Sequence, residues 1–193
     1  MSLNFPEGWQ NHPSKICDVK FAQMAGTQSS YIHTVGDTNG AWDSIANLSI
    51  THSCQSTSNR LLLQYQIGAT ADSDNNDSGM NFRFYNTTDS HHIGVGETSG
   101  NRLRCTTSNN YTGDWSYQYA TFVHYASYIW HPNSTSSKNY VVQFNPGDAS
   151  STSNGCHINR CDSRDNVDAS GGSARWLSNT ICTFTIMEID GTV

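Results

Sequence analysis

No run of about 18 consecutive apolar residues occurs in this 193-residue chain, so no segment reads as a membrane-spanning helix. Charge is scarce as well. Only 13% of residues are Asp, Glu, Lys or Arg, against about 25% in an average globular protein. The formal net charge is −6 and no basic run occurs, which removes the electrostatic footprint of a nucleic-acid binder. No window places apolar residues at helical spacing over three turns, and no heptad, collagen-like or longer repeat is present. The opening residues Met1, Ser2, Leu3, Asn4, Phe5 and Pro6 carry neither a basic stretch nor an apolar core of the secretory type. Free thiols are therefore expected for the six cysteines, Cys17, Cys54, Cys105, Cys156, Cys161 and Cys182.

What is abundant is Ser, Thr, Asn, Gln and Gly. Such residues favour turns and strands, and they compete with helix interiors through side-chain to backbone hydrogen bonds. Short β-like runs recur between polar clusters. They predict strands over residues 16–24, 44–52, 60–67, 80–85, 103–106, 119–128, 139–144, 156–159 and 181–189. The stretch 121–130 is apolar enough to be a central strand buried on both faces. Many short strands with a turn signal about every ten residues point to an all-β, antiparallel, jelly-roll-like β-sandwich of one domain. The expected organisation is residues 1–15 as an N-terminal extension that could act as a docking arm, and 16–193 as the sandwich.

Sites that chemistry would need are missing. There is no G-x-S-x-G turn, no H-E-x-x-H helix and no phosphate-binding loop. Glu188 is the one acid within a strand and reads as a strand-edge or interface residue, not a general acid. Cys156, His157 and Cys161 lack the spacing of a zinc knuckle. Asp72, Asp74, Asn76 and Asp77 begin like a calcium loop. Asp77 and Arg83 then stand where the helix-loop-helix pattern needs Gly and Glu, so the stretch reads as a solvated turn. His91 and His92 are adjacent on a strand and face opposite sides, so they cannot easily share an ion. No cofactor, no metal ligand and no catalytic residue are predicted, and the chain is expected not to be an enzyme. Tyr111, Trp115 and Tyr117 lie in or beside a polar loop and form the candidate partner- or ligand-binding loop.

Several segments resemble, in order, a group of marine and cyanobacterial phage virion domains. They are residues 48–51, 58–63, the glycine-rich 93–102, the strand 135–144, His157-Ile158-Asn159-Arg160 and the closing 184–189. Together they cover about residues 45–190. Such domains are distantly similar to the trimeric jelly rolls of the complement-C1q and tumour-necrosis-factor type. The resemblance implies a bacteriophage structural protein, assembled in the host cytoplasm and located in the virion. It would act as a homotrimeric capsid decoration, cement or head-fibre protein touching the major capsid protein. The alternative is a tail-associated module binding a host glycan or surface protein. Ile186, Met187 and Ile189 of the closing strand are the candidate trimer interface.

Overall fold

The computed structural model describes residues 15–30, 42–71, 79–100, 103–110, 121–146, 156–159 and 180–191. Within them there is no helix. The strands are β1 (Ile16–Met24), β2 (Gln28–Ser30), β3 (Asp43–His52), β4 (Arg60–Ala71), β5 (Gly79–Asn86) and β6 (His91–Ile93). They continue with β7 (Thr107–Asn110), β8 (Phe122–Trp130), β9 (Lys138–Asn145), β10 (Cys156–Ile158) and β11 (Cys182–Ile189). Two antiparallel sheets result, as an all-β sandwich requires. In the first, β1, β11, β4 and β8 lie side by side, with β2 and β10 continuing the lines of β1 and β11 along the upper half of β4. In the second the order is β3, β9, β5, β6, with β7 also on β5.

Alternation decides which side chains meet between the sheets. On β11, Cys182, Phe184, Ile186 and Glu188 point inward and Thr183, Thr185, Met187 and Ile189 outward. On β4, Leu61, Leu63, Tyr65 and Ile67 are sealed in. The second sheet answers with Phe82 and Phe84 from β5 and Tyr140, Val142 and Phe144 from β9. Tyr65 packs its ring 4.8 Å from Phe84, and its hydroxyl lies 2.7 Å from the Thr107 hydroxyl. The buried phenol thus keeps a partner, and burial pushes it well above its ordinary pKa.

The outer side of the second sheet is covered along β5 and β9. Arg83 on β5 lays its guanidinium 4.0 Å from the Trp42 ring centre and donates from Nε to Gln143 Oε1 at 2.9 Å. Burial lowers that guanidinium to about 10. The outer side of the first sheet has no such cover among the described residues.

Three strand expectations change. Residues 103–106 are not a strand; the pairing to β5 is made by Thr107–Asn110, through Gly79 to Phe82. The short β2 and β6 are additional, because three residues carry no readable periodicity. The strand expected at 119–128 begins at Phe122 and runs on to Trp130, and residues 119 and 120 lie outside the described residues. Nor is it central among the described residues, where β8 pairs with β4 alone. It is apolar on both faces because one faces the core and the other is exposed.

Candidate interaction surface

The uncovered face of the first sheet is built row by row. Register places Val19 (β1), Met187 (β11), Leu62 (β4) and Ile129 (β8) side by side. The next row is Phe21, Thr185, Gln64 and Ser127, and the third is Gln23, Thr183, Gln66 and Tyr125. None of these twelve positions carries a charge, on a chain whose net charge is −6. Phe21 is 59% exposed and Ile129 56%, values more typical of lysine than of large apolar side chains. Strand spacing of about 4.8 Å and about 6.8 Å between rows give a flat patch of about 400 Å². Six of its twelve positions are apolar or aromatic, gathered mainly on the flanking strands, and exposed apolar groupings of this kind commonly mark interaction sites.

Polar contacts order the patch. Gln64 donates from Nε2 to the Tyr125 hydroxyl at 2.7 Å and so holds that ring in place. The two flanks are the most apolar: Ile16, Val19 and Phe21 along β1, and Val123, Tyr125 and Ile129 along β8, all exposed. The middle strands contribute half-buried Thr, Gln, Leu and Met.

The predicted interface residues divide. Met187 and Ile189 lie on this outer face, partly buried between their neighbours. Ile186 does not: its side chain is fully buried between the sheets, opposite Lys20 and Leu63 in register, and cannot meet another chain. Tyr111, Trp115 and Tyr117 lie outside the described residues, as do the Asp72–Asp77 turn and Cys161. The flanking strips on β1 and β8 were not predicted; the signal for them was the apolar character of 121–130 on both faces.

Directly beneath this face sits a buried polar knot. Glu188, expected at a strand edge or interface, is fully buried, because β11 is flanked by β1 and β4 and its even positions point inward. Its Oε1 accepts from the Gln55 backbone N–H at 2.7 Å and from Asn59 Nδ2 at 2.6 Å. Its Oε2 faces His52 Nε2 at 3.0 Å. The other His52 nitrogen, Nδ1, lies 3.6 Å from Asp18 Oδ2. Cys54 is buried beside them, and burial with the Glu188 charge pushes its thiol up to about 11. His52, Cys54 and Glu188 offer donor atoms that all lie within 4.8 Å of one another.

At one end of β8, Asn86, Asp89, His91, Trp130 and Lys138 line a cleft of about 310 Å³. His91 packs 5.1 Å from Trp130, and Lys138 Nζ donates to Asp89 Oδ1 at 2.6 Å. That donation holds the Asp89 carboxyl below its ordinary value. His92 turns the other way, onto Tyr85 at 5.7 Å, so the two histidines do face apart. No protein-family model matches the chain, and no curated protein matches it in sequence.

Proposed function

We propose that this chain is a non-enzymatic structural protein of a bacteriophage particle, a jelly-roll-like sandwich that packs its uncovered sheet face on two further copies around a threefold axis. In that reading it is a capsid decoration, cement or head-fibre protein.

The observation that carries the reading is the patch of twelve uncharged positions with an apolar strip on each flank, bordered by Arg60 beside Ile189. A patch whose three central rows carry no charge can meet a copy of itself there without like-charge repulsion, although the chain as a whole is acidic. The two flanks are chemically different strips about 14 Å apart, three strand spacings. Packing the β1 strip of one copy on the β8 strip of the next is a head-to-tail contact, and such contacts close into rings. The same packing would shield the edge of β8 that no described strand pairs.

The winding supports the resemblance. Count β6 and β7 as one position and set aside the three-residue β2 and β10, and eight strands remain. First pairs with last (β1 with β11), second with seventh (β3 with β9), third with sixth (β4 with β8) and fourth with fifth. That nesting is what an eight-stranded jelly roll of two Greek keys produces. The segments 48–51, 58–63, 135–144 and 184–189 fall on or at the start of β3, β4, β9 and β11.

Light scattering on the purified chain tests the assembly. The expected particle is three times 21.3 kDa, and Val19→Asp or Ile129→Asp should release monomers with unchanged thermal unfolding. A monomeric parent, or charge variants that remain trimeric, would remove the reading. Gold-labelled antibody on purified particles tests the location: label over the head supports decoration, and no label on intact particles refutes a virion role.

The cleft beside Trp130 favours a second reading, a tail module that binds host glycan. An aromatic ring ringed by Asn, Asp and Lys suits a sugar. Gold at the tail, with glycan binding lost in Trp130→Ala, would select it.

A further inference from the structure

We infer that His52, Cys54 and Glu188 form a binding site for one divalent transition metal of the zinc class, buried at the end of the sandwich where β1, β3 and β11 meet. The three donors are an imidazole nitrogen, a thiol sulfur and a carboxylate oxygen, the set that zinc takes in proteins. All three residues are buried, at 3%, 6% and 0% exposure. Their donor atoms lie within 4.8 Å of one another, and the closest pair, His52 Nε2 and Glu188 Oε2, is 3.0 Å apart. Ligand bonds of about 2.0–2.3 Å in a tetrahedron separate neighbouring donors by about 3.3–3.6 Å. An ion therefore fits with side-chain adjustments of about 1 Å, taking the place of the proton between His52 and Glu188.

The surroundings distinguish this cluster from a chance meeting of polar groups. Metal-bound histidines commonly direct their second nitrogen at a carboxylate, and metal-bound carboxylates are themselves hydrogen-bonded. Both features are here. His52 Nδ1 is buried without a hydrogen bond and faces Asp18 Oδ2 at 3.6 Å. Glu188 Oε1 is held by the Gln55 N–H and Asn59 Nδ2, which leaves Oε2 turned to the cluster. The fourth position falls to water, as at zinc sites with three protein ligands. Binding replaces the Cys54 thiol proton, which leaves to solvent, and shifts the proton between His52 Nε2 and Glu188 to His52 Nδ1, which faces Asp18; the dication balances one thiolate and one carboxylate.

The ion would tie β3 to β11, one strand from each sheet, with β1 held beside them through Asp18. Two of them, β1 and β11, carry Val19, Phe21, Met187 and Ile189 on their opposite side. The site is independent of the assembly reading: a monomeric protein could bind the metal, and a trimer could lack it.

The test uses the untagged full chain. Elemental analysis after purification without chelator should find about one zinc per chain. After chelator treatment, one equivalent of cobalt(II) should produce tetrahedral d–d absorption and a thiolate-to-cobalt charge-transfer band. Cys54→Ser should abolish the charge-transfer band, and His52→Gln should weaken binding at least tenfold, while Cys105→Ser leaves both intact. Thermal unfolding of Cys54→Ser in chelator should match the parent in chelator, which separates loss of the ion from loss of the fold. Substoichiometric zinc together with no cobalt spectrum overturns the inference, as does a charge-transfer band that survives in Cys54→Ser.

Discussion

His124 projects from β8 into the core, 7% exposed, with its ring 4.6 Å from that of Phe82. Its Nε2 is buried without a hydrogen-bond partner. Desolvation lowers the imidazole from 6.5 to about 4, with no charged neighbour among the causes. The folded chain therefore holds this histidine neutral, while the unfolded chain protonates it at the ordinary value. Above pH 6.5 both states are neutral and the stability is fully present. As pH falls from 6.5 to about 4, the unfolded state binds the extra proton and stability drops; below that the effect levels off. An interval of about 2.5 units, at about 1.4 kcal/mol each, makes the loss about 3 kcal/mol. That is a large part of the roughly 5–15 kcal/mol typical of a folded domain. The assay is urea unfolding of the parent and of His124→Leu at a series of pH values across the window. Carboxylates that titrate near its acid end, and the similarly lowered His92, contribute equally to both proteins and cancel. The stability difference between variant and parent should widen by about 3 kcal/mol from neutral pH to about pH 4. A difference that stays flat would refute the reasoning, as would an imidazole of His124 that titrates near 6.5 in the folded protein by NMR.

Asn159→Ala should destabilise the fold by roughly 3 kcal/mol in denaturant midpoints. Asn159 Nδ2 donates to the Met24 and Gly26 carbonyls at 2.8 Å each, and its backbone sits at φ +61°. Asn159→Gly should recover the backbone part of that loss and not the hydrogen bonds. Gly191→Ala should lower stability by about 1–3 kcal/mol, because a Cβ there overlaps the Ser58 carbonyl. Relief would pull Gly191 from Asn59 Oδ1, to which its N–H donates at 3.3 Å, so the loss should shrink when Asn59 is already replaced by Ala.

The alternation in β11 and the apolar run of β8 made the sandwich legible in the sequence, since period-two patterning is a local property. What decides β7 is not local. Thr107, Ser108, Asn109 and Asn110 have the composition of a turn, and they form a strand because β5 offers them a free edge. The misreading of β8 has a different origin. Sequence reports that both faces are apolar, and a second layer of the same chain or a second molecule would each satisfy that pattern equally. Only the sheet order, with β8 joined among the described residues to β4 alone, separates the two. Glu188 was hidden for a third reason. Its donors, His52, Gln55 and Asn59, lie 129 to 136 residues away in the chain, and no spacing rule reaches that far.

The same strands carry the buried knot and the exposed face, and a single inserted residue reconciles them. Along β1, simple alternation would send Ile16 to the side of Asp18 and Lys20, into the interior. The ladder instead pairs Ile16 with Ile189 and Asp18 with the very next residue, Glu188, so Cys17 is bulged out of register. A bulge forfeits regular pairing and bends the strand, so it persists where something is gained. Here Ile16 joins Val19 and Phe21 on the outer face, next to Ile189. Asp18 is turned inward toward His52 Nδ1. The bulged residue itself meets the knot, with its carbonyl accepting from Gln55 Nε2 at 3.3 Å and its sulfur beside Asn59. A one-residue slip of β1 against β11 would drive Asp18 and Lys20 onto the apolar face and Val19 and Phe21 under it. The buried carboxylate, held by His52, Gln55 and Asn59, therefore fixes the register that keeps Asp18 and Lys20 off the outer surface.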